Sequence, residues 1–208
     1  ERIQLTGRGI EFRFKNSDNG IHNFSFNLES GQLVAIMGGS GVGKSTLLGI
    51  LNGNITPQQG SIRLNGHPLN SPGSKQLIGF VPQDDLLIEE LTVYQNLWYT
   101  ARLCFANLSL EEIERRVNTI LEDLDLTKIK DLAVGSPIRK TISGGQRKRL
   151  NIALELIREP AILYLDEPTS GLSSTDSEKV IMLLKEQTHR GRLVVVNIHQ
   201  PSSEIYKL

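Results

Sequence analysis

Eight consecutive residues, Gly38-Gly39-Ser40-Gly41-Val42-Gly43-Lys44-Ser45, fit the pattern G-x-x-x-x-G-K-[ST], and Thr46 follows them. The chemistry such a run can do is anion capture. Its glycines let successive backbone N–H groups converge on phosphate oxygens without obstruction by Cβ. A helix opening behind the loop turns its positive end toward the same anion. Lys44 is placed to reach β- and γ-phosphates, and the Ser45 hydroxyl to ligate Mg²⁺. A second run, Ile162-Leu163-Tyr164-Leu165-Asp166-Glu167, carries an apolar strand into two acids and is closed by Pro168. Ligands of a parallel sheet bind beyond the carboxyl ends of its strands, where Asp166 can hold Mg²⁺ through water opposite Ser45. Glu167 is the candidate to polarise an attacking water, a role worth about 10²–10⁴ in rate. Two acids after an apolar run usually mark a solvated strand end; beside a phosphate loop the balance reverses. A third run, Ser143-Gly144-Gly145-Gln146, offers a hydroxyl and glycine amides at a predicted helix start, a second anion site or simply a helix cap.

These residues need elements to position them. Ile10 to Phe14 and Phe24 to Leu28 alternate apolar and polar, as half-buried strands do. Leu33 to Met37 is an apolar run of buried-strand length leading into the phosphate loop, and Thr46 to Leu51 has helical spacing that ends near Gly53. Ser61 to Leu64 reads as a further short strand. From Leu86 to about Lys130 the texture is helical. Ser109 and Glu112 form a capping-box pair, and Ile113, Val117, Ile120, Leu121 and Leu124 repeat on one face while Glu111, Glu114, Arg115 and Arg116 face away. Another helix is expected from about Gly145 to Ile157. Buried strands at Ala161 to Leu165 and Leu193 to Ile198 flank a helix near Thr175 to Thr188, with Thr175 and Glu178 spaced as its capping box. Strands alternating with helices predict an α/β fold with a largely parallel sheet, interrupted by a helical insertion.

Composition narrows the function classes. The 208 residues carry 23 basic and 23 acidic side chains, so the formal net charge is zero. That argues against a dedicated nucleic-acid binder or a polybasic membrane-surface module. Hydrophobic residues at 38% and charged residues at 22% fit a globular chain rather than a disordered one. The single cysteine, Cys104, excludes an internal disulfide framework and is expected to be a buried or inert thiol. No stretch approaches the roughly 20 apolar residues of a membrane-spanning helix. There is no signal-peptide pattern, and the start at Glu1 without methionine reads as a piece cut from a longer chain.

Ile142-Ser143-Gly144-Gly145-Gln146, about a hundred residues after the phosphate loop, resembles the LSGGQ signature of ATP-binding-cassette (ABC) transporter nucleotide-binding domains, with Ile in place of Leu. The resemblance extends over essentially the whole chain. It implies a P-loop NTPase (RecA-like) core, an N-terminal antiparallel β subdomain and an inserted α-helical subdomain. Residues 1–84 and 160–208 would form the core with its β subdomain, and residues 85–159 the helical unit. Gln83 matches the Q-loop glutamine that joins Ser45 and Asp166 near Mg²⁺ and faces the membrane partner. His199 matches the switch histidine at the γ-phosphate and attacking water, although a lone histidine at a strand end is more often structural. Phe14 stands where the family places an adenine-stacking aromatic, although an alternating strand would supply a core phenylalanine there in any case. Gln83-Asp84-Asp85 with Leu91-Thr92-Val93, and Ile198-His199-Gln200-Pro201-Ser202, are similar to the white-type, ABCG-like branch of exporters. One departure stands out: the D-loop reads Ser170-Gly171-Leu172-Ser173, without its usual carboxylate, and Asp176 is close enough in sequence to substitute.

As implied by that resemblance, the chain binds MgATP and pairs head-to-tail with a second copy or another ABC domain. Ser143 and Gly145 of one copy then complete the site that Lys44, Asp166 and Glu167 build in the other. The motor's partner is a transmembrane domain, fused or separate, gripped beside Gln83 and the Leu86 to Thr100 segment, at the cytoplasmic face of a membrane. The rival is a soluble ABC ATPase of DNA repair or translation. Repair members insert long coiled coils and translation members carry two cassettes; neither feature is present. No nucleic-acid partner is expected, and Arg147-Lys148-Arg149 reads as a solvated face. A P-loop kinase would not account for Ser143 to Gln146 or His199.

Overall fold

A computed structural model describes residues 2–17, 19–136 and 141–198. Two four-stranded sheets organise it. The first is antiparallel, in the order β2-β1-β4-β5, from β1 (Gln4–Arg13), β2 (Gly20–Glu29), β4 (Gln59–Leu64) and β5 (His67–Pro68). The second is parallel throughout, in the order β3-β8-β7-β6, from β3 (Leu33–Met37), β6 (Ile78–Val81), β7 (Ile162–Asp166) and β8 (Leu193–Ile198). The helices are α1 (Lys44–Leu51), the short α2 (Pro72–Gln76), α3 (Val93–Cys104), α4 (Leu110–Asp123), α5 (Gly144–Leu156) and α6 (Ser174–His189). The sequence expectation of a parallel sheet, an N-terminal antiparallel sheet and a helical insertion is met, and this is a P-loop NTPase fold.

β7 and β8 read as continuous apolar runs because both faces of the parallel sheet are covered. Ile162, Tyr164, Leu193 and Val195 share one core with α1 and the antiparallel sheet. Leu163, Leu165, Val194 and Val196 share another with α3 to α6. The two-residue period thus assigns every β7 and β8 side chain to a face. The Tyr164 hydroxyl, fully buried, donates to the Leu51 carbonyl at 2.7 Å and fastens β7 to the end of α1. Burial pushes its phenol far above the ordinary range, so it stays a donor.

Three expectations need correction. The run Leu33 to Met37 is an edge strand with Ala35 and Met37 exposed, because β8 covers only one side of it. Cys104 is exposed at the end of α3 rather than buried. The cap of α6 is Ser173, whose Oγ accepts from the Asp176 amide at 3.1 Å; Thr175 lies inside the first turn. The Ser109–Glu112 capping box on α4 forms as its spacing requires.

Candidate functional site

Among the six α-helices of the described residues, α1 starts differently. Ser71, Thr92, Ser109, Ser143 and Ser173 cap α2 to α6 with a side-chain oxygen. α1 begins from Gly43 with no side-chain cap and no acid in its first turn. The first amides of a helix have no partner inside it, so this positive end is left for an external anion. Gly43 itself takes φ 96°, a conformation that glycine alone adopts without strain. The buried Lys44 ammonium folds back over the loop and donates to the Gly39 carbonyl at 2.8 Å.

Asp166 ends β7 directly opposite Asn197 of β8. Tyr164 and Val195, two residues earlier on each strand, face α1, so Asp166 and Asn197 face it too. They meet Ser45 there. The Ser45 Oγ lies 3.5 Å from Asp166 Oδ1, and the Asn197 Nδ2 donates to Ser45 Oγ at 3.3 Å and also to Asp166 Oδ1. Glu167 follows with φ 46°, immediately before Pro168. A non-glycine residue there is strained, the more so before proline, and such strain gathers at functional sites. Its amide is held by the Asn197 carbonyl at 3.0 Å, and its own carbonyl accepts from Ser170 at 3.1 Å.

The donor set suits Mg²⁺. Hydroxyl and carboxylate oxygens side by side are hard ligands, and Mg²⁺ is usually held by one or two protein oxygens with phosphates and water supplying the rest. Among the described residues no group of three or more His, Cys, Asp or Glu could hold a metal unaided. Phe14, 45% exposed, stands just past β1 with its ring edge-on to Phe12 at 5.3 Å. With Ile21, Val42, Gly43 and Thr46 it lines a cavity of about 520 Å³ beside the phosphate loop.

Ser143 and Gln146 form a capping box on α5. Ser143 Oγ accepts from the Gln146 amide at 3.1 Å, and Gln146 Oε1 accepts from the Ser143 amide at 2.8 Å. Among the described residues no hydrogen bond joins them to the phosphate loop of the same chain. A side chain at Gly145 would force Asp176 to move, since a Cβ there would lie 2.3 Å from Asp176 Oδ1 and 2.9 Å from its Cβ.

Residues 21–170 match the family profile described as ABC transporter. The chain belongs to the ABC transporter family. It is 39% identical over 210 residues to "ABC-type transporter claG" of Penicillium crustosum, an alignment covering 97% of this chain and 28% of that protein. It is 42% identical over 179 residues to "Broad substrate specificity ATP-binding cassette transporter ABCG2" of Rattus norvegicus, covering 85% of this chain and 27% of that protein. The solved structure of cbiO1 from Clostridium perfringens, described as part of the ABC transporter complex cbiONQ, superposes with a TM-score of 0.82 at 30% identity. That match covers 94% of this chain and 78% of the other. The chain spans under a third of the length of the curated relatives it matches. It is an ABC ATPase domain of ABCG-like type, and both of these curated relatives are named as transporters.

Within this ABC domain the basic triplet overturns the sequence reading. Arg147, Lys148 and Arg149 are all buried. Arg147 grips Asp85 at two points, 2.9 and 3.2 Å, and donates to the carbonyls of Val134 and Gly135. Lys148 Nζ donates to the Gln83 carbonyl at 2.9 Å, and Arg149 Nε to the Leu124 carbonyl at 3.0 Å. Asn151 Oδ1 accepts from the Leu86 amide at 3.4 Å. Segment 83–86 is therefore bolted to α5 by three side chains, while Gln83 itself is exposed. Burial pushes the Lys148 ammonium below its ordinary value, and the carboxylates of Asp85, Asp84, Asp166 and Glu167 oppose that shift. No periodicity could reveal these partners, which lie 12 to 65 residues away.

Asp176 does not stand free as a replacement D-loop acid. Ser173 Oγ donates to its Oδ2 at 3.1 Å, and its Oδ1 lies against Gly145, 4.0 Å from Arg149. His199, with Gln200, Pro201 and Ser202, lies outside the described residues. Asn197 was missed by the sequence reading; its signal was a single amide inside the otherwise apolar run Leu193 to Ile198.

Proposed function

We propose that this domain is the ATP-driven motor of a membrane exporter, working as a head-to-tail pair around two MgATP. The observation that carries the reading is the start of α1, the one of the six α-helices among the described residues whose amides are left without a side-chain cap, placed directly behind Gly38 to Gly43. The triphosphate lies on the amides of Gly39 to Thr46, including Ser40, Gly41 and Val42, with Lys44 released from the Gly39 carbonyl to reach its terminal groups. Phe14 stacks on the adenine beside the cavity at Val42 and Thr46. Ser45, Asp166 and the Gln83 side chain hold Mg²⁺, which when bound supplies charge neutralisation at the terminal phosphate.

Glu167 accepts a proton from the attacking water, and His199 steadies the γ-phosphate. Ser143, Gly144, Gly145 and Gln146 of a second copy, or of a paired ABC domain, cover the nucleotide. The Ser143 hydroxyl can still donate to a phosphate, because in its capping box it only accepts. Residues 85–159 act as the unit that couples to a transmembrane domain, docked at the cytoplasmic face beside Gln83 and the exposed Leu86 and Ile88.

Replacing Glu167 by Gln tests the reading. Turnover should fall by about 10²–10⁴, while ATP binding persists and a nucleotide-dependent dimer accumulates in size-exclusion chromatography. Wild-type turnover in that variant would refute the assignment.

A further inference from the structure

Asn197 is fully buried in β8 and touches Ser45 and Asp166, two of the proposed metal ligands, and Glu167, the proposed base. Both hydrogens of its Nδ2 are used, one on Ser45 Oγ and one on Asp166 Oδ1. Its main-chain carbonyl takes the Glu167 amide and so holds the strained turn at φ 46°. Among the described residues its own Oδ1 has no donor, an unfavourable arrangement for a buried amide. The rest of the strand, from Leu193 to Val196 and Ile198, is apolar, so an aliphatic residue here would pack without that cost. The amide is kept against the local preference of its strand, and what it gains is the pair of contacts to Ser45 and Asp166.

We propose that Asn197 is a positioning residue for the Mg²⁺ ligands. Resting on the ATPase reading above, it sets the direction in which Ser45 and Asp166 offer their remaining lone pairs. Ser45 comes from the start of α1 and Asp166 from the end of β7, two elements with no covalent reason to agree in angle. Asn197 is the rigid bracket between them, because its strand is hydrogen-bonded on both sides, to β3 and to β7. Partners that orient metal ligands in this way typically carry about 10- to 100-fold of metal affinity.

The test uses Mn²⁺ as a paramagnetic probe, titrated into the ATP-loaded protein with turnover blocked by Glu167→Gln and protein-bound Mn²⁺ followed by electron paramagnetic resonance. Asn197→Ala should weaken Mn²⁺ binding about 10- to 100-fold, while ATP affinity measured in EDTA stays within about twofold, since the loop amides and Lys44 are untouched. Asn197→Ser, which keeps one donor and a small side chain, should recover part of the loss and guards against misfolding of the alanine variant. Unchanged Mn²⁺ binding in both variants overturns the proposal. Equal losses of ATP binding with and without the metal overturn it too, because they would mark a general packing role. If the Glu167→Gln parent itself binds neither ATP nor Mn²⁺, the ATPase reading has failed, and the two failures are thereby distinguished.

Discussion

Replacing Asp85 by Ala should destabilise the domain more than its own half-exposed position suggests. The Arg147 side chain is only 7% exposed and Asp85 27%, so the substitution leaves a guanidinium in the interior without its counter-ion. Removing one partner of a fully buried pair costs about 3–5 kcal/mol. Two features reduce that here. Arg147 keeps the carbonyls of Val134 and Gly135 as acceptors, and water can enter where the carboxylate stood. About 2–3 kcal/mol is then expected, by the cost of leaving a charged buried donor poorly paired. At about 2–4 °C per kcal/mol for a domain of this size, the thermal midpoint should fall by about 4–12 °C. Circular dichroism melts would read this directly. Arg147→Met combined with Asp85→Ala should melt above Asp85→Ala alone, since an apolar replacement removes the stranded charge. Nucleotide binding should survive, because Lys148 and Asn151 still hold the Gln83 carbonyl and the Leu86 amide. An Asp85→Ala midpoint within about 1 °C of wild type would show that the buried clamp does not hold segment 83–86.

Tyr164→Phe leaves the Leu51 carbonyl without its buried donor and should cost about 1–3 kcal/mol in urea unfolding; no change would mean that water replaces the hydroxyl. Glu155 offers a pH test. Burial pushes its carboxyl above the ordinary 4.5, against Arg158 and the Phe80 amide. The folded chain then keeps the proton where the unfolded chain has lost it, so stability drops as pH rises from about 4.5 through the folded value. Glu155→Gln should flatten that part of the melting curve while still accepting from the Phe80 amide, and an unaltered slope would assign it to other groups. Gly145→Ala puts a methyl into the Asp176 carboxylate and should cut turnover about 10²-fold, the scale of an ångström-sized misplacement. Its ATP affinity in the single chain should be unaltered, and full activity would show that the α5 start can give way.

Much of this fold was legible because its strongest signals are local. The phosphate loop, the Ser109–Glu112 cap and the runs at β7 and β8 each declare their structure within a few residues. The pairing of Ser45 with Asp166 was legible too, since a parallel sheet ends Asp166 of β7 on the same side as the loop that leaves β3 for Ser45 at the start of α1. What was not legible depends on partners far apart in the chain. A basic triplet at a helix start has the composition of a solvated face, and only Asp85, the Gln83 carbonyl and the Leu124 carbonyl make it interior. Cys104 misled for the opposite reason: its residue type favours burial, but its place at the end of α3 decides its exposure. Ser173 caps α6 through the Asp176 amide, a role an aspartate fills equally well, so the cap does not account for the missing carboxylate.

The two helix starts that frame the proposed site are unequal, and the inequality orders their use. α1 has no side-chain cap, so a phosphate there gains hydrogen bonds that no side chain among the described residues makes at its start. α5 already satisfies its first turn through Ser143 and Gln146, so an anion arriving there gains little beyond the dipole and the free Ser143 hydrogen. A capped end is a weak receptor for phosphate in isolation and an adequate second contact once the nucleotide is held elsewhere. Zero net charge fits the same scheme. A chain that meets a polyanion with oriented amides and one buried lysine needs no surplus of basic residues, and the cations it does concentrate at α5 are spent on its own carbonyls and on Asp85.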